Sequence, residues 1–318
     1  MKTARWVMAV LVSGAGIWFA LHGVRWGDVR LALERVSHPW LLLLIPLLMG
    51  VEYLIRSERW RLLLAEPVHR RKTLFPILAG AFFMNTVLPF RAGEAARIFW
   101  THRRLGRPLA GTVAALAVDR LMDSLALVFL FLAAMSARPG TAIPRGAVPG
   151  LLAVGGTGLG FFVILARHSE RIGGWVLSLP LPGFLRRMGG AFLAGAAPLR
   201  SAGTLAATLL LSAVLWFYLA MMFLVVGRLF GLPLSGAEAV LLLAGIALGV
   251  ALPSTPGFIG TYEAAGVGAL ALMGYDKSVA FPFVASIHLI QIVGTALWGA
   301  PSVMVLVRTG KVSGSREL

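Results

Sequence analysis

Apolar positions in this chain run in long blocks rather than alternating with polar ones. Six blocks, residues 4–21, 40–55, 109–135, 148–166, 205–230 and 279–307, lie near or above the length of about 20 residues that carries a helix across a bilayer core. They predict six membrane spans. Lys2 and Arg5 stand at the start of the first block, as they would in a signal peptide. No small-x-small cleavage site follows and more spans come after, so it reads as an uncleaved first span.

Two further blocks end differently. Residues 74–90 run straight into Arg91, Gly93 and Glu94. Residues 237–252 run into Pro253, Pro256 and Gly257, and the apolar piece 264–273 beyond them is too short to cross. Irregular backbone at membrane depth survives only where protein or a wet cavity covers its polar groups. The pattern therefore predicts two re-entrant hairpins, over 74–106 and 237–275. The expected fold is an all-α polytopic membrane protein of six full spans plus two oppositely oriented hairpins, or eight full spans if both hairpins cross.

Composition removes the soluble alternative. Hydrophobic residues make up 58% of the 318 and charged ones 13%, about half the charged share of a soluble domain. The 29 Lys and Arg against 13 acids then read as span-flanking and headgroup-facing charges rather than a nucleic-acid surface. Segment 56–72 holds six of these cations, 97–107 four and 167–200 five, with Arg308, Lys311 and Arg316 after the last block. Segment 137–147 holds two, and 227–236 and the turn at Asp276 one each. Placing the positive segments inside gives six spans with both termini cytoplasmic. Arg25, Arg30 and Arg35 break the rule, partly balanced by Asp28 and Glu34. The excess of 25 Arg over four Lys, with 37 Gly, points to a GC-rich bacterial genome and so to a bacterial inner membrane. Residues 169–201, where Trp175, Leu177, Leu179, Phe184, Leu185 and Phe192 mix with Arg171, Arg186 and Arg187, predict short interfacial helices. The whole of 1–318 reads as one integral membrane domain, with no soluble domain of useful size.

The two interrupted segments resemble each other weakly. Pro89-Phe90-Arg91-Ala92-Gly93-Glu94 and Pro256-Gly257-Phe258-Ile259-Gly260-Thr261-Tyr262-Glu263 each follow an apolar arm with Pro, then Gly four residues on, then Glu. Broken helices in opposed repeats are a recurring transporter design, and they mark the binding site.

Ionisable groups at membrane depth cost about 2.5–3.5 kcal/mol each on insertion scales, so each asks for a reason. Asn85, Arg91, Glu94 and Arg97 cluster at the first break. Arg91 offers the planar fork that grips an anion, and Glu94 suits a helix N-terminus. The bland alternative is an Arg–Glu pair that pins the hairpin. Asp119 and Asp123 lie one turn apart on one face with Arg120 adjacent, either as a buried salt bridge with Arg91 or Arg120 or as a proton relay. Glu52, Arg56 and Arg59 follow helical spacing at the end of the second block, where Trp60 suits an interface. His288 and Gln291 in the last block read as hydrogen bonds to a neighbouring helix. With no cysteine there is no disulfide, thiolate nucleophile or Cys metal site. His69, His102 and His168 lack metal spacing, and no Walker A, Rossmann, G-x-S-x-G or H-E-x-x-H motif occurs. No cofactor is expected.

Four motifs occur in order: Arg56-x-x-Arg59-Trp60, Asn85-x-x-x-Pro89-x-Arg91-x-Gly93-Glu94, Asp119-Arg120-x-x-Asp123 and Pro253-x-x-Pro256-Gly257-x-x-Gly260-x-x-Glu263. Together, from about residue 40 to 306, they resemble the transmembrane region of lysylphosphatidylglycerol synthases, a flippase-like integral membrane family. The resemblance implies lipid handling without the aminoacyl-transferring soluble domain of larger members, and it leaves the cargo open.

The expected function is a lipid transporter, a flippase or scramblase for an anionic or zwitterionic phospholipid or a polyprenyl-phosphate-linked lipid. Arg91, assisted by Arg59 or Arg120, would hold the phosphate. Glu94, Glu263, Asp119 and Asp123 would balance charge, meet a cationic headgroup or couple protons. Asn85, Pro89, Gly93, Pro256, Gly257, Gly260 and Tyr262 would shape the cavity. Expected partners are membrane lipids, a second copy or lipid-synthesis enzymes, and no nucleic acid. The rival reading is a membrane-embedded transferase acting on a lipid-linked sugar or an aminoacyl group. A third is a non-transporting partner of lipid-synthesis enzymes.

Overall fold

A computed structural model describes residues 2–34, 36–89, 91–136, 147–178, 180, 182–252 and 254–308. Arg35, Phe90, Pro253, Leu179, Lys311, Arg316 and both cations of the 137–147 segment lie outside the described residues. Among the described residues all regular structure is helical. The chain is an all-α membrane protein.

All six expected spans are helical wherever they are described. They correspond to α1 (Lys2–Leu21), α3 (Leu44–Leu63, entered through the 3-10 turn Pro39–Leu43), α6 (Leu109–Ser136), α7 (Ala147–Arg167), α10 (Ala202–Leu229) and α13 (Lys277–Arg308). Among the described residues, three segments are both long and apolar enough to cross a membrane: Pro39–Leu63, Ala202–Leu229 and Lys277–Arg308. Short α2 (Trp26–Glu34) follows α1. Two of the three cations that break the charge rule, Arg25 and Arg30, meet carboxylates. Arg25 reaches Asp28 at 2.8 Å and Asp276 at 3.2 Å, and Arg30 reaches Glu34 at 2.7 Å.

Each interrupted block folds as two short helices packed on each other. The first pair is α4 (Arg71–Val87) and α5 (Ala92–Leu105), and the second is α11 (Gly236–Gly249) and α12 (Thr261–Leu272). The second pair is started by its sequence. Ser235 accepts from the Glu238 amide at 3.3 Å, and Glu238 accepts from the Ser235 amide at 2.7 Å. This reciprocal cap satisfies two amides that a helix start leaves open. Segment 169–201 forms α8 (Ser169–Ser178), α9 (Gly183–Ala196) and the 3-10 turn Ala197–Arg200. Trp175 and Phe184 are exposed on it, while Leu193 is buried as α9 lies along α6.

Two large apolar clusters fill most of the interior, beside a small one of Met49, Tyr53 and Ala79. One gathers Trp60, Leu74, Leu78, Met122 and Leu125 around the first pair; the other gathers Phe223, Leu242, Tyr262, Phe283 and Val284 around the second. In lipid, burial against a neighbouring helix gains little over contact with acyl chains, so close packing and interhelical polar bonds set the arrangement.

Candidate functional site

Among the described residues the most buried charged group is Arg59, whose side chain is 1% exposed. It leaves α3 one turn before the helix ends and meets two carboxylates on α6. Arg59 Nε donates to Asp119 Oδ1 at 2.8 Å, and Nη1 donates to Asp123 Oδ1 at 2.7 Å and to Ser212 Oγ at 2.8 Å. The carboxylates, one helical turn apart, are held by a cation between them. Asp119 Oδ2 also accepts from Arg97 Nη1 of α5 at 2.7 Å, and Asp123 Oδ1 accepts from Trp216 Nε1 of α10 at 3.1 Å. Four helices are thus tied at one point. The Arg97 guanidinium lies over the Trp60 ring at 3.7 Å, and Trp60 Nε1 donates to Thr101 at 3.3 Å. Trp60 is fully buried. It serves Arg97 as a cation–π platform and is not the interface anchor its basic neighbours suggest.

From this knot the charges run outward. Arg56 Nη1 stands 3.7 Å from Asp123 while Nε donates to Glu52 at 2.8 Å. Arg120 reaches Asp123 at 3.4 Å and Glu94 at 3.2 Å, and Glu94 stands 3.8 Å from Arg91. Five arginines (56, 59, 91, 97 and 120) are linked to four carboxylates (52, 94, 119 and 123). The set carries one surplus positive charge. Its inner members are buried, while the Arg91 side chain at its outer end is 41% exposed.

Arg91 is the residue on which the first break turns. Its backbone takes φ 53, ψ 39, the left-handed region, and it caps α5. A non-glycine residue there carries strain of about 1–2 kcal/mol. Asn85 Oδ1 accepts from the Gly93 amide at 2.8 Å. Gly93 is obligatory because a Cβ would collide with the Ala81 carbonyl and the Asn85 side chain where α5 crosses α4. Arg91 Nη2 donates to the Val250 carbonyl at 3.0 Å. That carbonyl closes α11, where a cation also complements the helix dipole. The first break therefore caps the second pair.

Between the two breaks lies a cavity of ≈ 200 Å³, lined by Asn85, Leu88, Pro89 and Arg91 from one side and Ala251, Leu252, Ser254, Thr255 and Phe258 from the other. Pro256 and Gly257 form a 3-10 turn, Pro256–Phe258, behind this wall. Gly260, Tyr262 and Glu263 are not among its lining residues. Glu263 Oε2 accepts from the Gly260 amide at 2.7 Å, and Oε1 pairs with His288. Gly260 has φ 90 and touches α1, where a Cβ would strike the Ser13 carbonyl. Ser13 Oγ accepts from the Thr255 amide at 3.0 Å.

The predicted site residues thus separate into three places. Arg59, Asp119 and Asp123 form the sealed knot, with Arg120 and Glu94 leading out of it. Asn85, Pro89 and Arg91 line the cavity, with Gly93 close behind. Gly260, Tyr262 and Glu263 belong to a third cluster around His288. Ser212, Trp216, Ser13, Thr255 and the Val250 carbonyl had no signal in the sequence. They are common residue types whose roles come only from helix packing. Among the described residues, no group of His, Asp and Glu could hold a metal ion.

The family model of the lysylphosphatidylglycerol synthase TM region matches residues 6–299. The chain belongs to that family. The match contains both breaks, the sealed knot and the cavity. It identifies a multi-pass membrane protein of a lipid-metabolism, flippase-like family. No curated protein and no solved structure matches the chain.

Proposed function

We propose that this member of the lysylphosphatidylglycerol synthase TM-region family moves a lipid between the leaflets of a bacterial inner membrane, with the headgroup phosphate resting on Arg91. The cargo class is an anionic or zwitterionic phospholipid or a polyprenyl-phosphate-linked lipid. The observation that carries the reading is Arg91 itself: the surplus cation of a linked charge set, half in the open, in a cavity shared by both breaks. A guanidinium fork suits a phosphate, and acyl tails can stay in lipid while only the headgroup passes. Strain kept at a cavity residue that glycine would relieve also favours a functional side chain.

On this reading α4–α5 and α11–α12 are re-entrant hairpins entering from opposite sides, and both termini are cytoplasmic. The lengths of α11 and α12, 14 and 12 residues, support it, since each would rise only about 18–21 Å against a core of about 30 Å. Transport is favoured over a transferase because the cavity presents one cation among apolar and neutral polar side chains, with no carboxylate among the lining residues to act as general base.

Purified protein in proteoliposomes should exchange fluorescent phosphatidylglycerol between leaflets. The double variant Arg91→Ala, Glu94→Ala should lose that exchange while remaining folded. Unchanged exchange in the double variant removes the assigned site. Conversion of labelled lipid to a new product would replace transport by the transferase reading.

A further inference from the structure

The third cluster is chemically unlike the other two. His288 stands on α13 with its ring parallel to Tyr262, centroids 4.1 Å apart and planes at 8°. Its Nδ1 lies 2.5 Å from Glu263 Oε1, and its Nε2 lies 2.7 Å from the Gly257 carbonyl oxygen. Both ring nitrogens therefore face oxygens. A neutral imidazole has one N–H and one lone pair, so it can satisfy one of these contacts and must set lone pair against lone pair in the other. The observed pair of distances requires Nε2–H to donate to Gly257 and a further proton to lie between Nδ1 and Oε1. Whether nitrogen or oxygen holds that proton, the unit is neutral overall, and it is nearly closed to solvent, with side chains 6% and 14% exposed.

The turn held by this bond needs holding. Gly257 and Phe258 have φ of 71 and 60, and Phe258 is one of few non-glycine residues in the left-handed region. Such backbone persists only where its surroundings over-determine it. The other face of the same turn carries Phe258 into the wall of the Arg91 cavity, beside Ser254 and Thr255.

We propose that His288 and Glu263 form a proton-binding site, and that its single proton clamps the turn Pro256–Phe258 against α13. That the clamp sets the shape of the lipid path rests on the function proposed above. On release, the proton passes from the Nδ1···Oε1 pair to water, leaving a carboxylate and a neutral imidazole, and no other covalent bond changes. The remaining N–H then has two choices. On Nε2 it leaves the Nδ1 lone pair against the Glu263 carboxylate; on Nδ1 it abandons Gly257. In the first case the Glu263 carboxylate repels the ring that still holds Gly257, and in the second the bond to Gly257 is gone, so the clamp on the turn is weakened on one side or lost on the other.

The ionisable groups on neighbouring elements have other engagements. Tyr262 and Glu263 of α12 touch the ring directly. On α3, Glu52 pairs with Arg56 and Tyr53 Oη donates to Thr295; on α10, Tyr218 Oη donates to the Leu48 carbonyl. Arg71 of α4 pairs with Glu58, and on α2 Asp28 pairs with Arg25 and Arg30 with Glu34. On α13 itself, Lys277 Nζ donates to the Phe19 carbonyl of α1 at 3.4 Å.

Two variants push the clamp in opposite directions. In Glu263→Gln the amide can donate to Nδ1 while Nε2–H keeps Gly257, so the clamp stays closed without a titrating proton. In His288→Ala it is absent. The measurement is hydrogen exchange of the 254–263 backbone across pH, corrected for intrinsic rates, in nanodiscs of phosphatidylethanolamine and phosphatidylglycerol. The wild type should lose protection by about tenfold in a single step as pH rises, which corresponds to about 1.4 kcal/mol. Glu263→Gln should remain protected throughout, and His288→Ala should exchange fast throughout. A wild type with flat protection, or a step retained in Glu263→Gln, overturns the proposal. Leaflet exchange in proteoliposomes forms a separate arm, where wild type should depend on pH and Glu263→Gln should not. Absence of leaflet exchange at every pH, with the protection step intact, would remove the transport reading and leave the proton site standing.

Discussion

Arg59 and Arg91 are the same residue beside the same kind of partner, in opposite settings. Arg59 is enclosed by two carboxylates and a hydroxyl contributed by two other helices, with its side chain 1% exposed. Arg91 stands 3.8 Å from its carboxylate, with its side chain 41% exposed at a cavity. The first arrangement leaves no room for a ligand phosphate without displacing an aspartate. The second can change partners at small cost. Costly charge in a membrane protein can therefore be architecture or machinery, and geometry separates the two where residue type does not.

The comparison breaks most visibly at the knot. Asp119→Ala should strand Arg97 in a dry interior and leave Arg59 with Asp123 alone of its two carboxylates, and removing one partner of a buried pair costs about 3–5 kcal/mol. Thermal unfolding in detergent should show a large drop, or the protein should fail to accumulate as a monodisperse species. A variant that unfolds like wild type but loses lipid exchange would instead move Asp119 into the transport path.

Gly93→Ala is next in size. Its methyl would meet the Ala81 carbonyl and Asn85 where α4 and α5 cross, and forced repacking of this kind costs about 1–3 kcal/mol. The expected outcome is a lower unfolding temperature together with impaired exchange, because the Asn85 bond that shapes the first break is lost with it. Wild-type stability would mean that the two helices can separate freely.

Arg91→Gly sharpens the contrast. It removes the strain of a left-handed arginine, about 1–2 kcal/mol, and loses the hydrogen bond to Val250, about 1.5–3 kcal/mol at most for a charged donor. The net change in stability should lie between a gain of about 0.5 kcal/mol and a loss of about 2 kcal/mol, while leaflet exchange falls to background. A large loss of stability would place Arg91 with Arg59 among the structural charges.

Much of this was legible in the chain, and the rest was hidden for stated reasons. Spans announce themselves because lipid demands unbroken apolar runs. The breaks do so because Pro and Gly beside charge suit few other settings. Asp119 and Asp123 stood out as a pair, but their cation comes from Arg59, 60 residues earlier, and periodicity carries no information across that distance. Trp60 misled because a tryptophan among arginines near a helix end resembles an interface anchor. Its ring instead turns inward to cover Arg97. His288 was readable as a helix-to-helix hydrogen bond, yet its partner could not be, since Glu263 looked equally suited to the cavity. Three helices meet the length and apolarity needed to cross among the described residues, where six were expected. The difference falls partly on α6, which carries the charged knot inside an otherwise apolar helix.

The smallest effect lies outside the spans and tests the pH argument away from both arginines. Asp276 accepts from the Ser278 amide at 2.7 Å as α13 begins, and Arg25 stands 3.2 Å away. The Ser278 hydrogen bonds, aided by the Arg25 charge, hold its carboxyl below the usual aspartate range. A lowered folded-state value means the contribution is present above the ordinary aspartate range and is lost as pH falls through the folded-state value. Asp276→Asn keeps an oxygen to cap α13 but does not titrate there. Wild type should therefore unfold slightly more easily relative to the variant as the medium is acidified, and at neutral pH it should hold a slight advantage. An advantage that grows on acidification would reverse the sign and remove Asp276 from the contacts that fasten α2 to the start of α13.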